Sequence, residues 1–250
     1  MIAQFTIEEW FFMQGTIDMH NHILWGIDDG AKNINESIEI IKDEYKQGVR
    51  KIIVTPHFYQ GVYSFDKDQY DRRFNELCAE VNKLYPDLEI FKGQEIMYTQ
   101  DIKSLLQNNG IQRMADSKYV LVEFMVDISY SNLERSVKEI LTEGYVPIIA
   151  HCERYKCLSK SVPKIRHLVE SGAYMQVNAS TVTSLGKRHF VNNLIDNDLL
   201  HFVGTDAHNT GSRGVTFAKC VSYLERKYGE EYVEWLMVEN PQKIINDEYI

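Results

Sequence analysis

The stretch Thr16-Ile17-Asp18-Met19-His20-Asn21-His22 decides the fold. A short β-prone run ends in two histidines one residue apart. In extended backbone such residues face the same side, so both imidazoles address one pocket. The same event, an apolar run followed by a ligand-type side chain, recurs along the chain. Runs begin near Thr16 (TIDM), Lys51 (KIIVT), Glu89 (EIFK), Tyr119 (YVLVE), Val146 (VPIIA), Ala173 (AYMQV) and His201 (HFVG), at intervals of 35, 38, 30, 27, 27 and 28 residues. That interval fits a strand, a crossover helix and two loops.

The segments between carry helical periodicity. Ile34, Ile38, Ile41 and Tyr45 step by four, three and four, with Gly48 as the stop. Tyr70, Phe74, Leu77, Val81 and Leu84 form a second apolar stripe before Pro86, and Leu133, Val137, Ile140 and Leu141 a third before Gly144. Thr216–Tyr228 and 231–239 complete the helices, the last expected to halt at Pro241. Seven such units in α/β alternation fit a single-domain TIM-like barrel with one unit fewer than the eight-fold version, or an open doubly wound sheet. Alternation does not separate the two.

Composition narrows the function classes. The 250 residues are 44% hydrophobic and 25% charged, ordinary values for a globular chain. A formal charge of −9 disfavours nucleic acid or an anionic membrane surface as partner. No run approaches the roughly 18 apolar residues of a membrane span, and Trp10-Phe11-Phe12-Met13 follows Glu8 and Glu9, where a signal peptide would be basic. Cys78, Cys152, Cys157 and Cys220 show no CxxC spacing. Reduced thiols and a cytoplasmic location are the expectation.

The residues just beyond each strand favour the barrel. His20, His22, Asp28 and Asp29 come after the first, His57 after the second, Glu95 after the third, Glu123 at the end of the fourth, His151 after the fifth, and Asp206 and His208 after the seventh. Barrel strands all exit on one face, where active sites are built. A lone histidine at a strand end is usually a hydrogen-bonded structural residue, but nine candidates at one mouth would leave costly unpaired charge without cations. His20, His22, Asp29, His57, Glu95, Glu123, His151, Asp206 and His208 exceed what one ion takes and suit two or three, of the Zn²⁺, Mn²⁺ or Fe²⁺ kind that accepts imidazole with carboxylate. His167 and His189 fall in helical segments and are expected at the surface. His201 lies at a strand entrance and is expected to be structural.

Arg154 and Arg213 follow His151 and His208 on the same face, where guanidinium groups can hold phosphate oxygens or pair with a ligand carboxylate. The loop Phe58-Tyr59-Gln60-Gly61-Val62-Tyr63 either walls the pocket with aromatics or packs as an ordinary loop. His151-Cys152 resembles the start of the H-C-x5-R signature of cysteine phosphatases, but the arginine position holds Leu158. Serine-hydrolase and nucleotide-loop motifs are missing.

Taken together, His20-x-His22, Asp28-Asp29-Gly30, Thr55-Pro56-His57, Gly93-Gln94-Glu95-Ile96, Val122-Glu123-Phe124, Ala150-His151-Cys152-Glu153-Arg154 and Asp206-Ala207-His208-Asn209 resemble the polymerase and histidinol phosphatase (PHP) superfamily. Within it they are similar to the bacterial manganese-dependent protein tyrosine phosphatases of capsule and exopolysaccharide synthesis, the CpsB/CapC-like group. The resemblance runs from about Ile17 to the C-terminus. It implies a distorted (β/α)7 barrel over 16–250, a trinuclear centre with the nine residues on the family's metal positions, and Arg154 and Arg213 on its substrate positions. It implies Mn²⁺, with Fe, Zn or Mg as other possibilities, and phosphotyrosine on the tail of a bacterial tyrosine kinase as substrate. A metal-bound hydroxide would then attack phosphorus with no cysteinyl intermediate. A small-molecule phosphatase of the histidinol-phosphatase type shares these residues, and a non-catalytic phosphopeptide-binding module is a third possibility. Two departures stand out. Residues 1–15 precede the first strand, either because Met13 is the start or because the extension packs on the barrel or a partner. Cys152 stands where Pro or Ile is expected, beside a ligand, and raises the question of oxidation sensitivity.

Overall fold

The structure, a computed structural model, describes residues 15–108, 110–159 and 161–250. Apart from Gly15, the N-terminal extension expected over 1–15 lies outside the described residues. The chain forms a mixed α/β domain whose strands all pair in parallel. They are β1 (Thr16–Asp18), β2 (Val49–Val54), β3 (His57–Phe58), β4 (Glu89–Lys92), β5 (Glu95–Met97), β6 (Tyr119–Glu123), β7 (Val146–Ile149), β8 (Tyr174–Asn178) and β9 (Phe202–Gly204). The order is β1-β2-β4 in a three-stranded sheet and β3-β5-β6-β7-β8-β9 in a six-stranded one, a TIM-like half-barrel.

Seven strands were expected, and the second and third are each broken in two. Pro56 has no N–H for a ladder and ends β2. Gly93 ends β4: a Cβ there would lie 2.9 Å from Ile53 Cγ2 and 3.0 Å from Val54 O, and Tyr70 Oη both donates to Gly93 O at 2.8 Å and accepts from Gly93 N–H at 3.1 Å. Beyond the breaks the chain joins the other sheet, where His57 pairs with Glu95, Glu95 with Leu121 and Met97 with Glu123.

The strand exits also join the two sheets. An isolated parallel bridge links Asn21 to Ala207, with Asp206 N–H donating to His20 O and His22 N–H to Ala207 O, both at 2.8 Å. Asp18 accepts from the Thr205 N–H at 2.9 Å and its hydroxyl at 2.6 Å. Along β6 the side chains alternate: Tyr119 and Leu121 enter one buried cluster with Ile53, Ile148 and Phe202, while Val120 and Val122 face the helix layer. Glu123 continues the row of Tyr119 and Leu121.

The helices follow the periodicity. α1 (Ile34–Lys46) starts at Asn33, whose side chain accepts from Glu36 N–H, and α2 (Lys67–Leu84) at Asp66, which accepts from Gln69 N–H. α3 (Ile102–Gln107), α4 (Tyr130–Thr142), α5 (Val162–Glu170), α6 (Ala179–Thr183), α7 (Arg188–Ile195), α8 (Phe217–Tyr228) and α9 (Glu230–Glu234) come next. Pro241 does not end the last helix, contrary to expectation. A π-helical turn, Trp235–Glu239, widens the backbone before α10 (Asn240–Ile245), which takes Pro241 in its first turn, where no N–H is needed.

His167 pairs with Glu134 at the surface, and His189 is exposed. His201 is buried and structural: its Nδ1 accepts from Met175 N–H at 3.2 Å, and its carbonyl accepts from Asn240 Nδ2 at 3.0 Å. Burial pushes its pKa down to about 4. The unfolded chain therefore takes up this proton first. The contribution of neutral His201 is complete above about pH 6.5 and is lost as pH falls towards 4. Between pH 7 and 4.5 this amounts to about 2–3 kcal/mol. His201→Asn, which retains an acceptor for Met175, should lose that much less stability over the same range in urea titrations; parallel pH profiles for the two proteins would refute the assignment.

Candidate metal centre

All nine residues expected as ligands meet at the strand exits. Two of them arrive differently from expectation, since His57 and Glu95 open the short strands β3 and β5 that the breaks create. Glu95 is the hub. Its Oε2 lies 3.3 Å from His20 Nε2, 3.3 Å from His22 Nε2 and 3.0 Å from His57 Nδ1, and its Oε1 lies 2.7 Å from His151 Nε2. Glu123 stands 3.1 Å from His57 Nδ1 and 3.5 Å from His151 Nε2. Asp206 Oδ1 is 3.4 Å from His22 Nε2 and 3.5 Å from His208 Nδ1, while Asp29 Oδ1 is 3.6 Å from His57 Nε2 and 3.5 Å from His208 Nε2.

Three groups of donor atoms lie within 4.8 Å of one another: His20, His22 and Glu95; His57, Glu95 and Glu123; and His22, Asp29, His57 and His208. The donors fit divalent cations on two grounds. Glu95 Oε2 and His208 Nε2 are buried without a hydrogen-bond partner, although both face this cluster. The mixture of imidazole nitrogen and carboxylate oxygen suits Mn²⁺, Fe²⁺ or Zn²⁺ better than an all-oxygen set would.

Charge follows the same logic. Burial opposes protonation of His57 and His151, but the adjoining Glu123 and Glu95 carboxylates hold His57 up at about 10, and the charge of Glu95, hydrogen-bonded to His151, together with nearby Glu123 holds His151 at about 9. Burial and the neighbouring His22 charge push His208 strongly down instead. The backbone is strained at two exits: His151 has φ +33° and Asp206 φ +53°, left-handed values that cost most residues of order 1 kcal/mol or more.

Arg154 and Arg213 both reach Asp206. Arg154 Nη2 donates to Oδ2, Arg213 Nη2 donates to Oδ1 at 3.1 Å, and Arg213 Nη1 lies 3.4 Å from Asp29 Oδ2. Pairing with a carboxylate of the donor cluster, one of the two roles open to them from sequence, is the arrangement present. Beside Asp206 opens a cavity of about 350 Å³, lined by both guanidinium groups, Asn178, Ser180, Thr210 and Lys219.

Residues 16–246 match the family described as "Capsular polysaccharide synthesis, CpsB/CapC". The chain belongs to the CpsB/CapC family. It is 34% identical over 242 residues to the tyrosine-protein phosphatase CpsB of Streptococcus pneumoniae, covering 94% of this chain and all of that one. It is 32% identical to the tyrosine-protein phosphatase YwqE of Bacillus subtilis, covering 94% and 93%. Among solved structures, one described as YwqE from Bacillus subtilis and CpsB from Streptococcus pneumoniae, unique metal-dependent tyrosine phosphatases, superposes with a TM-score of 0.85 at 30% identity over 94% of this chain and 96% of that one. A phosphotriesterase homology protein from Escherichia coli shares the fold at TM-score 0.60 and 12% identity, over 93% and 99% of the two chains.

This CpsB/CapC chain also holds its donors with residues that motif reasoning did not assign. Asp28, beside the expected ligand Asp29, has a buried carboxylate that binds His22 Nδ1 at 2.7 Å; it also accepts from His57 N–H at 2.7 Å and Gly30 N–H at 2.9 Å. Gly30 must be glycine, because a Cβ would lie 2.1 Å from His22 O. Gln176 Oε1 lies 3.2 Å from His20 Nδ1 and accepts from His151 N–H at 2.6 Å, and Asn178 Nδ2 donates to Asp206 at 2.7 Å. Thus β8, whose exit brings no expected ligand, orients the donors of its neighbours. In the sequence Gln176 is marked only as a polar residue between apolar Met175 and Val177. Such supporting groups typically set metal affinity within 10–100-fold. Gln176→Ala should therefore weaken Mn²⁺ binding by about 10–100-fold in calorimetry with all nine donors intact; unchanged affinity would show that Gln176 does not orient them.

Proposed function

We propose that this chain is a metal-dependent protein tyrosine phosphatase acting on a phosphotyrosine-containing protein. The observation that carries the reading is the meeting of five imidazoles and four carboxylates around Glu95 with two guanidinium groups at their edge. The printed names of its relatives support the choice of phosphotyrosine. We further infer a distorted seven-fold barrel, in which the Asn21–Ala207 bridge marks where the first and last strands meet. Two or three ions, preferentially Mn²⁺, with Fe, Zn or Mg as substitutes, would be held by His20, His22, Asp29, His57, Glu95, Glu123, His151, Asp206 and His208. When bound, such ions supply Lewis-acid charge and lower the pKa of water at the site.

The chain's own residues divide the remaining work. Asp28 and Gln176 fix the imidazole orientations, and Glu95 lies where two donor groups share an oxygen-bearing side chain. Arg154 and Arg213 hold the phosphoryl oxygens and stabilise the charge that develops on them. A departing phenolate, with a pKa of about 10, leaves without the strong general acid an alkyl alcohol demands. The tail of a tyrosine kinase that controls capsule or exopolysaccharide synthesis is the proposed substrate, and the cytoplasm the proposed compartment, where four unpaired thiols stay reduced. No helix among the described residues is long and apolar enough to cross a membrane.

A thiol has no place in this chemistry. Cys152 is completely buried and burial pushes its thiol well above the usual value, the reverse of an activated or oxidation-prone cysteine. Chelator-stripped protein should release no phosphate from a phosphotyrosine peptide, and Mn²⁺ should restore release in both the wild type and Cys152→Ala. Histidinol phosphate, tested in parallel, should be the poorer substrate; the opposite preference would move the assignment to an alkyl phosphatase. Arg213→Ala should lower kcat/KM for the peptide by about 10²–10³-fold, as loss of one charge-stabilising donor typically does. A loss below about threefold would leave Arg213 as a mere partner of Asp206.

A further inference from the structure

The turn that follows β3 is rigidly built, and the phosphatase chemistry leaves it unused. Tyr59 N–H donates to Tyr63 O at 2.9 Å, Tyr63 N–H to Tyr59 O at 2.7 Å, and Val62 N–H to Tyr59 O at 2.8 Å. These bonds make a narrow antiparallel bridge around Gln60 and Gly61. Gly61 takes φ +83°, the positive value that the third residue of a type II turn demands.

The turn separates its large side chains. Phe58 goes into the core, and Val62 is 61% exposed at the tip. Tyr63 lies parallel to His57, with centroids 5.7 Å apart and planes within 10°. That places a flat, half-buried aromatic ring directly against a residue of the metal centre, inside the range of favourable ring stacking. In the loop after β6, Met125 and Val126 are 59% and 47% exposed, and only β5 separates β6 from β3. The apolar side chains thus rise over β3 and β6, while Arg154 and Arg213 stand in the loops after β7 and β9. A phenyl phosphate ester has the same polarity, with a flat apolar ring at one end and a dianion at the other. An alkyl phosphate offers no face to stack.

We propose that Tyr63 is a specificity-determining residue that packs against the aryl ring of phosphotyrosine and selects aryl over alkyl phosphate esters at this centre. The proposal rests on the phosphatase activity inferred above and deepens it.

The test uses the full chain loaded with Mn²⁺ and turning over a phosphotyrosine peptide, with phenylphosphonate and methylphosphonate as competitive inhibitors that share a headgroup. Tyr63→Ala should raise KM for the peptide and Ki for phenylphosphonate by about five- to tenfold, the scale of one lost aromatic contact. Its kcat, its Ki for methylphosphonate and its bound Mn²⁺ should stay within about twofold of the wild type. Tyr63→Phe, which keeps the ring, should match the wild type throughout. Equal shifts for both phosphonates, no shift for either, or a drop in bound Mn²⁺ would overturn the proposal, the last by showing that Tyr63 serves only to position His57. Failure of the underlying activity looks different: wild-type protein that carries Mn²⁺ yet releases no phosphate from the peptide.

Discussion

One oxygen sets the terms for this molecule. Glu95 Oε2 has three imidazole nitrogens within 3.3 Å and accepts a hydrogen bond of normal geometry from none of them. A buried carboxylate so placed, with Glu123 and Asp206 beside it, is tolerable only where positive charge balances it. The raised pKa values of His57 and His151 express that demand, because a proton on either imidazole offsets the carboxylate charge. Much of the architecture follows from delivering these groups to one point. The breaks at Pro56 and Gly93 pass His57 and Glu95 into the six-stranded sheet in register with each other. The bonds between the exits of β1 and β9 bring His20, His22, Asp206 and His208 to the same place.

The sequence made the donor set legible because metal chemistry restricts it to a few side-chain types, and the strand rhythm made their meeting place legible. Helices were equally plain where apolar residues step by three and four ahead of a stop, although the caps at Asn33 and Asp66 emerged only from the structure. Backbone geometry and supporting polar contacts decided the features that escaped. Pro56 and Gly93 were visible as residues, but not as the points where one run becomes two strands in different sheets. Pro241 signalled a stop, yet the π-helical turn ahead of it gave the proline ring room. Gln176 and Asp28 carry no signature of the role they play, because an amide in a strand or one of two adjacent aspartates becomes a positioning group only through what it touches.

The two sides of the mouth differ in what holds them. Arg154 and Arg213 are tied to Asp206, itself a member of the donor cluster, so any change of charge at the centre reaches both guanidinium groups directly. Tyr63 is held through backbone bonds of its own turn and by stacking on His57. The cationic side is therefore tied to the centre through charge, while the apolar side is tied to it only through the stacking on His57 and is otherwise shaped by its own turn.

The donors also impose an order on the making of the protein. His20 and His208 stand far apart in the sequence, and the bridge between Asn21 and Ala207 joins an earlier-made segment to a much later one. A nascent chain on the ribosome carries His20, His22, His57 and Glu95 long before Asp206 and His208 leave the exit tunnel. That early part holds only three of the five cluster imidazoles and lacks Asp206 and His208. The complete donor cluster consequently exists only once the segment beyond β9 has been made and has folded onto the exit of β1.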